Sequence, residues 1–348
     1  MSLRLNGSTS GYSEIDAPAI AGNNTLVLPT TNGVANQLLK NGSTPGVLEY
    51  SLTTLDSSGN LGSIASINGG PLAGFRNRII NGGMLIDQRN GGASQVITTT
   101  GAYTVDRWIC VPIGASVTGQ RVTRTTDNQF GYQITGAAGV TTTAFLQRIE
   151  AASCASLANT TVTLSALLSN TVLTTVNWQL FYPSATDNFA TNTSIASGSW
   201  TVTSTDAIYT AQISIPAAAT TGLQLNLSVG AQTSGTWIVS RVQLEPGPVA
   251  TPFEQRPIGT ELALCQRYYQ AQYVHMQAPA AAGMIVPVYF SVPMRATPTA
   301  TNLSLGTESN VISVTINPRN YLSAYFQFTA SVANAFVLDR VDAYSAEL

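Results

Sequence analysis

The sequence predicts an all-β protein: a jelly-roll-like sandwich with a small C-terminal β domain behind it and a thin N-terminal β or stalk segment in front. Two observations carry this. Segments such as Thr161-Val162-Thr163-Leu164-Ser165, Val176-Asn177-Trp178-Gln179-Leu180 and Leu223-Gln224-Leu225-Asn226-Leu227-Ser228-Val229 alternate apolar and polar residues, the period of a strand with one face on a core and one toward water. Gly, Ser and Asn turns separate them at fairly even spacing, as in a sandwich or jelly roll. In addition, only 9% of the 348 residues are charged while 44% are hydrophobic, against roughly 25% charged in ordinary soluble domains. Such a chain folds, and Thr, Ser, Asn and Gln must make its surface polar.

The elements follow in order. Residues 1–50 form an N-terminal attachment or stalk segment in which Thr25-Leu26-Val27-Leu28-Pro29 reads as one short strand. Asn32-Gly33 and Asn41-Gly42 read as hairpin turns, since both residue types tolerate positive φ. A segment this thin buries little core alone and gains stability when several chains pack around an axis. Residues 51–74 read as a linker, in which Leu61, Ile64 and Ile67 step by three. Residues 75–256 hold the jelly-roll-like β domain. At 257–270 the alternation gives way to a hinge helix, with Thr260 as N-cap and Glu261 beside the positive end of the dipole. Leu262, Cys265 and Tyr269 fall on one of its faces, with Leu264 and Tyr268 beside them. Residues 271–348 return to strands over Val286 to Val292, Val311 to Ile316, Tyr325 to Thr329 and Phe336 to Leu338.

Several chemistries find no support. The net charge is −2 and Lys40 is the single lysine, so the basic stripe of a nucleic-acid binder is missing. No run of 18 apolar residues predicts membrane insertion, and no charged-then-apolar leader follows Met1. Cys110, Cys154 and Cys265 are far apart in sequence and read as small buried hydrophobes. His275 is the only histidine; it is expected to pack beside Tyr273 or Met276, and no metal site or cofactor is expected. No Gly-x-Ser-x-Gly elbow or phosphate loop occurs. Glycoside hydrolysis needs two carboxylates flanking the bond, and the sparse acids, among them Asp87, Asp106, Asp127, Glu150, Asp187, Asp206, Glu245, Glu254 and Glu261, leave that alternative open. Asp87 and Asp106 are expected to bridge Arg89 and Arg107, and Arg76, Arg78, Asp87 and Arg89 to fix the first strand of the β domain.

From residue 75 the run Phe75-Arg76-Asn77-Arg78-Ile79-Ile80-Asn81-Gly82-Gly83-Met84, then Ile86-Asp87-Gln88-Arg89 and Tyr103-Thr104-Val105-Asp106-Arg107-Trp108, resembles the opening of a bacteriophage tail-fibre β-domain family. Its far end is matched by Val242-Gln243-Leu244-Glu245-Pro246-Gly247, Thr251-Pro252-Phe253-Glu254-Gln255-Arg256-Pro257, the helix that follows, Met294-Arg295-Ala296-Thr297-Pro298 and the terminal Ala346-Glu347-Leu348. The N-terminal Gly11-Tyr12-Ser13-Glu14 and Asn36-Gln37-Leu38-Leu39-Lys40 look like fibre segments of cyanobacterial phages. The resemblance implies a non-enzymatic homotrimer in the virion, made in the host cytoplasm. It would attach to tail or baseplate proteins by its N-terminus and bind a host cell-surface polysaccharide at its C-terminal tip. A purely structural baseplate or collar part and a polysaccharide depolymerase are the alternatives.

Sugars are held by aromatic faces and fixed polar groups, so Tyr289, Arg319, Asn320, Tyr321 and Tyr325 are the receptor-binding candidates, with 317–321 read as an exposed loop. The competing reading packs Tyr321 and Tyr325 in a trimer core. Trp108 reads as core in preference to a sugar platform. Leu26, Val27 and Leu28 are the candidates for virion attachment.

Overall fold

In the computed structural model, residues 3–6, 9–15, 25–33, 37–45, 47–55, 61–62, 75–125, 127, 129–277, 283–304, 307–309, 311–330 and 336–348 are described. The chain divides into two compact units, Met1–Ile67 and Asn68–Leu348.

The first unit holds the hairpin β1 (Leu3–Asn6) and β2 (Tyr12–Ile15), and a sheet of β3 (Gln37–Asn41), β4 (Leu48–Leu55) and β5 (Leu61–Gly62). Asn41-Gly42 opens the β3–β4 turn, where the Gly42 amide donates to the Val47 carbonyl at 2.7 Å. Asn32 and Gly33 lie in a loop, with no hairpin closing on them among the described residues. The expected strand at residues 25–29 shrinks to one parallel bridge between Val27 and Val47, because a single partner residue offers no ladder to extend. The expected linker start at residue 51 lies inside β4, whose pairing with β3 runs on to Thr54. Leu61 begins β5; Ile64 and Ile67 lie outside the described residues.

The second unit is built on a sandwich of twelve strands. These are β6 (Gln95–Ile97), β7 (Ala102–Tyr103), β8 (Ile109–Ile113), β9 (Val117–Thr123), β10 (Phe130–Thr135), β11 (Thr142–Ile149), β12 (Thr161–Asn170), β13 (Thr175–Ala185), β14 (Asn188–Thr201), β15 (Ala207–Ser214), β16 (Leu223–Val229) and β17 (Thr236–Pro246). They form two six-stranded sheets in the orders β15-β12-β17-β10-β9-β6 and β14-β13-β16-β11-β8-β7. Every pairing is antiparallel, and the chain passes repeatedly from one sheet to the other. The alternation seen in sequence has its expected cause: in β16, Leu223, Leu225, Leu227 and Val229 are buried while Gln224, Asn226 and Ser228 are not. The core closes on Trp108, which is 0% exposed and stacks on Phe145 at 4.7 Å, with Tyr132 and Trp237 against the same ring. β12 departs from simple alternation, being buried on both faces. Residues beyond β17 cross its outer side: Thr163 Oγ1 donates to the Gly247 carbonyl at 2.7 Å.

The motif residues of 75–108 and 242–261 are architectural. Asn77 Oδ1 accepts from the Ile79 and Leu244 amides while its Nδ2 donates to the Val242 carbonyl. Asn81, held at φ 56°, spans the Ile86 amide and the Ile86 and Asp106 carbonyls, and its own carbonyl accepts from the Trp108 indole at 3.0 Å. Glu245 is satisfied by Thr251 and Gln243. Glu254 accepts the Arg76 and Asn77 amides. Gly82 sits so close to the Val242 carbonyl that a Cβ would lie 2.1 Å from the oxygen.

Helix α1 (Ala151–Cys154) is a single turn; α2 (Ile258–Gln266) is the element expected as a hinge. Its N-cap is Pro257, not Thr260: the Pro257 carbonyl accepts the first helical bond, from the Glu261 amide at 3.0 Å, as an N-cap carbonyl does. Buried Glu261 accepts from the Asn81 amide and from Arg256, 3.3 Å away, so the helix is tied to the sandwich. Two small sheets follow: β18 (Tyr269–Gln277), β24 (Phe336–Ser345) and β20 (Thr299–Ser304), with β21 (Thr307–Ser309) also on β24; and β19 (Gly283–Tyr289), β23 (Ser323–Ala330) and β22 (Val311–Pro318). The strand expected to run to Val292 ends at Tyr289. Phe290, Met294, Ala324 and Tyr344 pack in the core of this region.

A buried charge cluster fastens this region to the sandwich. Arg107, at φ 74°, pairs with Glu347, donates to the Arg148 carbonyl at 2.6 Å and lies 3.5 Å over the Tyr268 ring. Burial works most strongly against its charge, but Glu347, Tyr268, Tyr103 and Cys265 together outweigh that and raise its pKa. Arg89 bridges Glu347 at 3.1 Å and Asp106 at 3.4 Å. The expected Asp–Arg bridges are thus half realised. Arg89 takes Asp106, whereas Arg107 takes Glu347. Asp87 accepts the Asn90 and Gly92 amides of a turn, 3.0 and 2.7 Å away, because the turn's amides lie within reach of its short side chain. Arg76 and Arg78 form no ion pair among the described residues.

Two expectations follow. Gly82→Ala should cost about 1–3 kcal/mol by overpacking against a backbone that cannot yield, read as a lowered denaturant midpoint. Burial also raises the Asp106 carboxyl to about 6, against the opposing pull of Gln88 and Arg89. Between pH 4 and 6 the folded state then holds the proton that the unfolded chain releases, so the Asp106 contribution to stability falls as pH rises. The stability of Asp106→Asn minus that of wild type should climb across this window by on the order of 3 kcal/mol; a difference that is flat with pH would refute the assignment.

Candidate functional site

The three-stranded sheet β19-β23-β22 has one buried and one open face. Ala324, Phe326 and Phe328 of central β23 point inward and are buried, which turns Ser323, Tyr325 and Gln327 outward. Register then aligns rows across the sheet. Pro287 and Asn317 flank Tyr325, Ile285 and Thr315 flank Gln327, and Tyr289 stands opposite Ser323. Tyr289 is 75% and Ile285 65% exposed. Both edge strands carry a proline, Pro287 and Pro318, at positions where a missing ladder N–H is tolerated.

This face carries an open groove of about 660 Å³ lined by Ile285, Pro287, Tyr289, Asn317, Arg319 and Tyr325, among others. Its chemistry is two phenol rings, an amide and a guanidinium on an exposed apolar floor. Tyrosines combine a broad apolar ring with a polar tip, and Arg supplies several fixed donors. Such a surface suits a flat, partly apolar, hydroxyl-rich ligand.

Of the five receptor-binding candidates, Tyr289, Arg319 and Tyr325 meet in this groove. Tyr321 is half exposed and lies outside the lining. Asn320 also lies outside the lining, and its Oδ1 accepts the Leu322 and Ser323 amides at 2.8 and 3.0 Å, shaping the β22–β23 turn. The expected loop at 317–321 is shorter at its start, since Asn317 and Pro318 belong to β22. Sequence reasoning missed Ile285, Pro287 and Gln327 as parts of this face; the alternation Ile285-Val286-Pro287-Val288-Tyr289 was the available signal. In the first unit Leu26, Val27 and Leu28 are all exposed, with Val27 and Leu28 beside a separate groove that Tyr50 also lines.

Most acids are engaged in holding the fold. Glu150 pairs with Arg267 and Arg295, Asp206 with Arg124, Asp187 accepts the Ala151 amide, and Asp342 accepts from Asn302. All three cysteines are buried and unpaired, and burial pushes the Cys110 and Cys154 thiols up to about 12. His275 is exposed where it was expected to pack, on the outward side of β18 with Ala271 and Tyr273. Among the described residues no group of three potential ligands gathers for a metal ion, and no helix is long and apolar enough to cross a membrane.

No protein-family model and no curated protein matches the chain. Partial likenesses exist among solved structures. A CBM4 module aligns at 17% identity over 48% of this chain and 97% of that one, TM-score 0.32. TmCBM61, solved with β-1,4-galactotriose, aligns at 10% identity over 49% and 99%, TM-score 0.32. The enzymatically active domain of bacteriophage CBA120 tailspike protein 4 aligns at 16% identity over 49% of this chain and 21% of that one, TM-score 0.34. These are likenesses of β-sandwich architecture, and no function is carried across from them.

Tyr289→Ala and Arg319→Ala should leave stability within about 0.5 kcal/mol of wild type, as exposed side chains outside the packed core do. Asn320→Ala should cost more by leaving the turn amides unpartnered; equal melting temperatures for all three would contradict the division between ligand face and turn.

Proposed function

We propose that this protein is a virion part, a phage tail fibre that acts as a homotrimer and binds a host-surface glycan without cleaving it. The observation that carries the binding reading is the open face of β19-β23-β22, where Tyr289, Tyr325, Asn317 and Arg319 line one groove. The motif resemblance described from sequence supports the fibre assignment. The first unit, with Leu26, Val27 and Leu28 exposed, serves attachment to tail or baseplate proteins. Binding without hydrolysis is supported by the commitment of most acids to structural contacts and by the lack of an acid among the residues lining the groove.

The test is retention of the full-length protein on immobilised host polysaccharides, with its mass measured by light scattering. Wild type should be retained at a mass near three times 36.5 kDa, and Tyr289→Ala combined with Tyr325→Ala should abolish retention while the mass is unchanged. Retention that ignores both substitutions would remove the site, and release of reducing sugar would replace the fibre with a depolymerase. A substituted chain that falls to a monomer would mark the face as an interchain contact.

A further inference from the structure

A second pocket lies on the sandwich and shares no lining residue with the C-terminal groove. Its volume is about 230 Å³, below the usual range for drug-sized ligands and suited to one ring. Half-buried Phe130 and Phe253 give it aromatic walls, while Glu254, Gln255, Arg241 and Arg256 supply polar groups.

Two features of these residues bear on a ligand. Arg241 has φ 48°, in the left-handed region that a long side chain avoids. It sits where the β12–β17 register slips, and bulges of this kind re-aim a side chain. Its one ion pair among the described residues, with Asp127, is partly solvent-exposed and contributes little. Residues held in unfavourable backbone regions cluster at ligand sites. Secondly, Glu254 lines the pocket beside it and is half-buried. Glu254 accepts two backbone amides and keeps acceptor capacity, since a carboxylate offers about four lone-pair sites.

We propose that this pocket binds a single neutral sugar ring. Two arginines and two glutamates among the lining residues balance in charge, which disfavours an anion or a cation. Aromatic walls match the C–H face of a pyranose, and its hydroxyls can both accept from Arg241 and donate to Glu254. The proposal does not depend on the C-terminal groove.

The experiment is saturation-transfer NMR on the full-length protein with the methyl glycosides of glucose, galactose, mannose and N-acetylglucosamine. At least one should show transfer. Arg241→Gly should weaken it about tenfold or more, as the loss of charge-assisted hydrogen bonds does, while the melting temperature stays level or rises, because glycine relieves the backbone. Phe253→Ala should weaken it as well. Gln255→Ala, at an exposed position, provides a second variant if Phe253→Ala unfolds the segment. Because Tyr289 and Tyr325 belong to the proposed outer glycan face, the pocket variants are read in a Tyr289→Ala, Tyr325→Ala background, whose remaining transfer isolates this pocket. In that background, absence of transfer from every glycoside, or transfer that survives the pocket substitutions, would overturn the proposal. A sharp fall in melting temperature for Arg241→Gly would do so too, by showing that the fold itself requires Arg241.

Discussion

A fully buried guanidinium has to be paired, and Arg107 finds its partner near the far end of the chain. Glu347 meets it beneath the Tyr268 ring, and the Arg148 carbonyl takes a second N–H. Removing one member of such a pair leaves an uncompensated charge in a low-dielectric interior, which is far costlier than losing an exposed ion pair. The chain therefore cannot bury Arg107 without also bringing its last residues back to the sandwich. Arg89 and Tyr103 reinforce the junction through Glu347 and the Leu348 carbonyl. The position of the two C-terminal sheets, and of the groove on one of them, follows from this closure.

The asparagines of the opening motif do related work with neutral groups. Asn77 and Asn81 satisfy backbone amides and carbonyls where the chain enters the sandwich and cannot join a ladder. Each donor and acceptor of those side chains has a defined partner, so replacement by an apolar residue strands several buried groups at once. Glu254 and Glu261 complete the same junction from the other side, on the segment that leads into α2. The two motif stretches, far apart in sequence, are thus the two halves of a single hydrogen-bonded seam.

The strands were legible because a period of two survives in any sheet with one face toward water. β16 and β23 show it plainly. β12 shows the limit: its outer side is covered by residues some eighty positions later, and no local pattern announces that. The same reason hid the ion pairs. Arg107 and Glu347 are 240 residues apart in sequence, so proximity favoured Asp87 and Asp106, and Asp87 instead caps its own turn. For the candidate site, the tyrosines and Arg319 were legible as residue types suited to a ligand. Their common face was not, because register alone places Tyr325 between Pro287 and Asn317. Asn320 shows what residue type alone does not: its side-chain oxygen is spent on the backbone of its own turn.

A face carried on three paired strands behaves differently from a binding loop. Its side chains are held by the ladder and by the buried Phe326 and Phe328 beneath it, so little ordering entropy is lost when a ligand settles. The groove is open and shallow, however, and encloses only part of a ligand, which keeps a single contact weak. In the proposed trimer the remedy is repetition. Three such faces on one particle turn the second and third contacts into intramolecular events, and the gain in avidity requires no deeper pocket. Weak single contacts also release quickly, so a surface of this kind can sample a polysaccharide before all three faces engage. A rigid shallow site and a multivalent carrier are in that sense one design, and the buried closure at Arg107 is what keeps each face at a fixed position on its own chain.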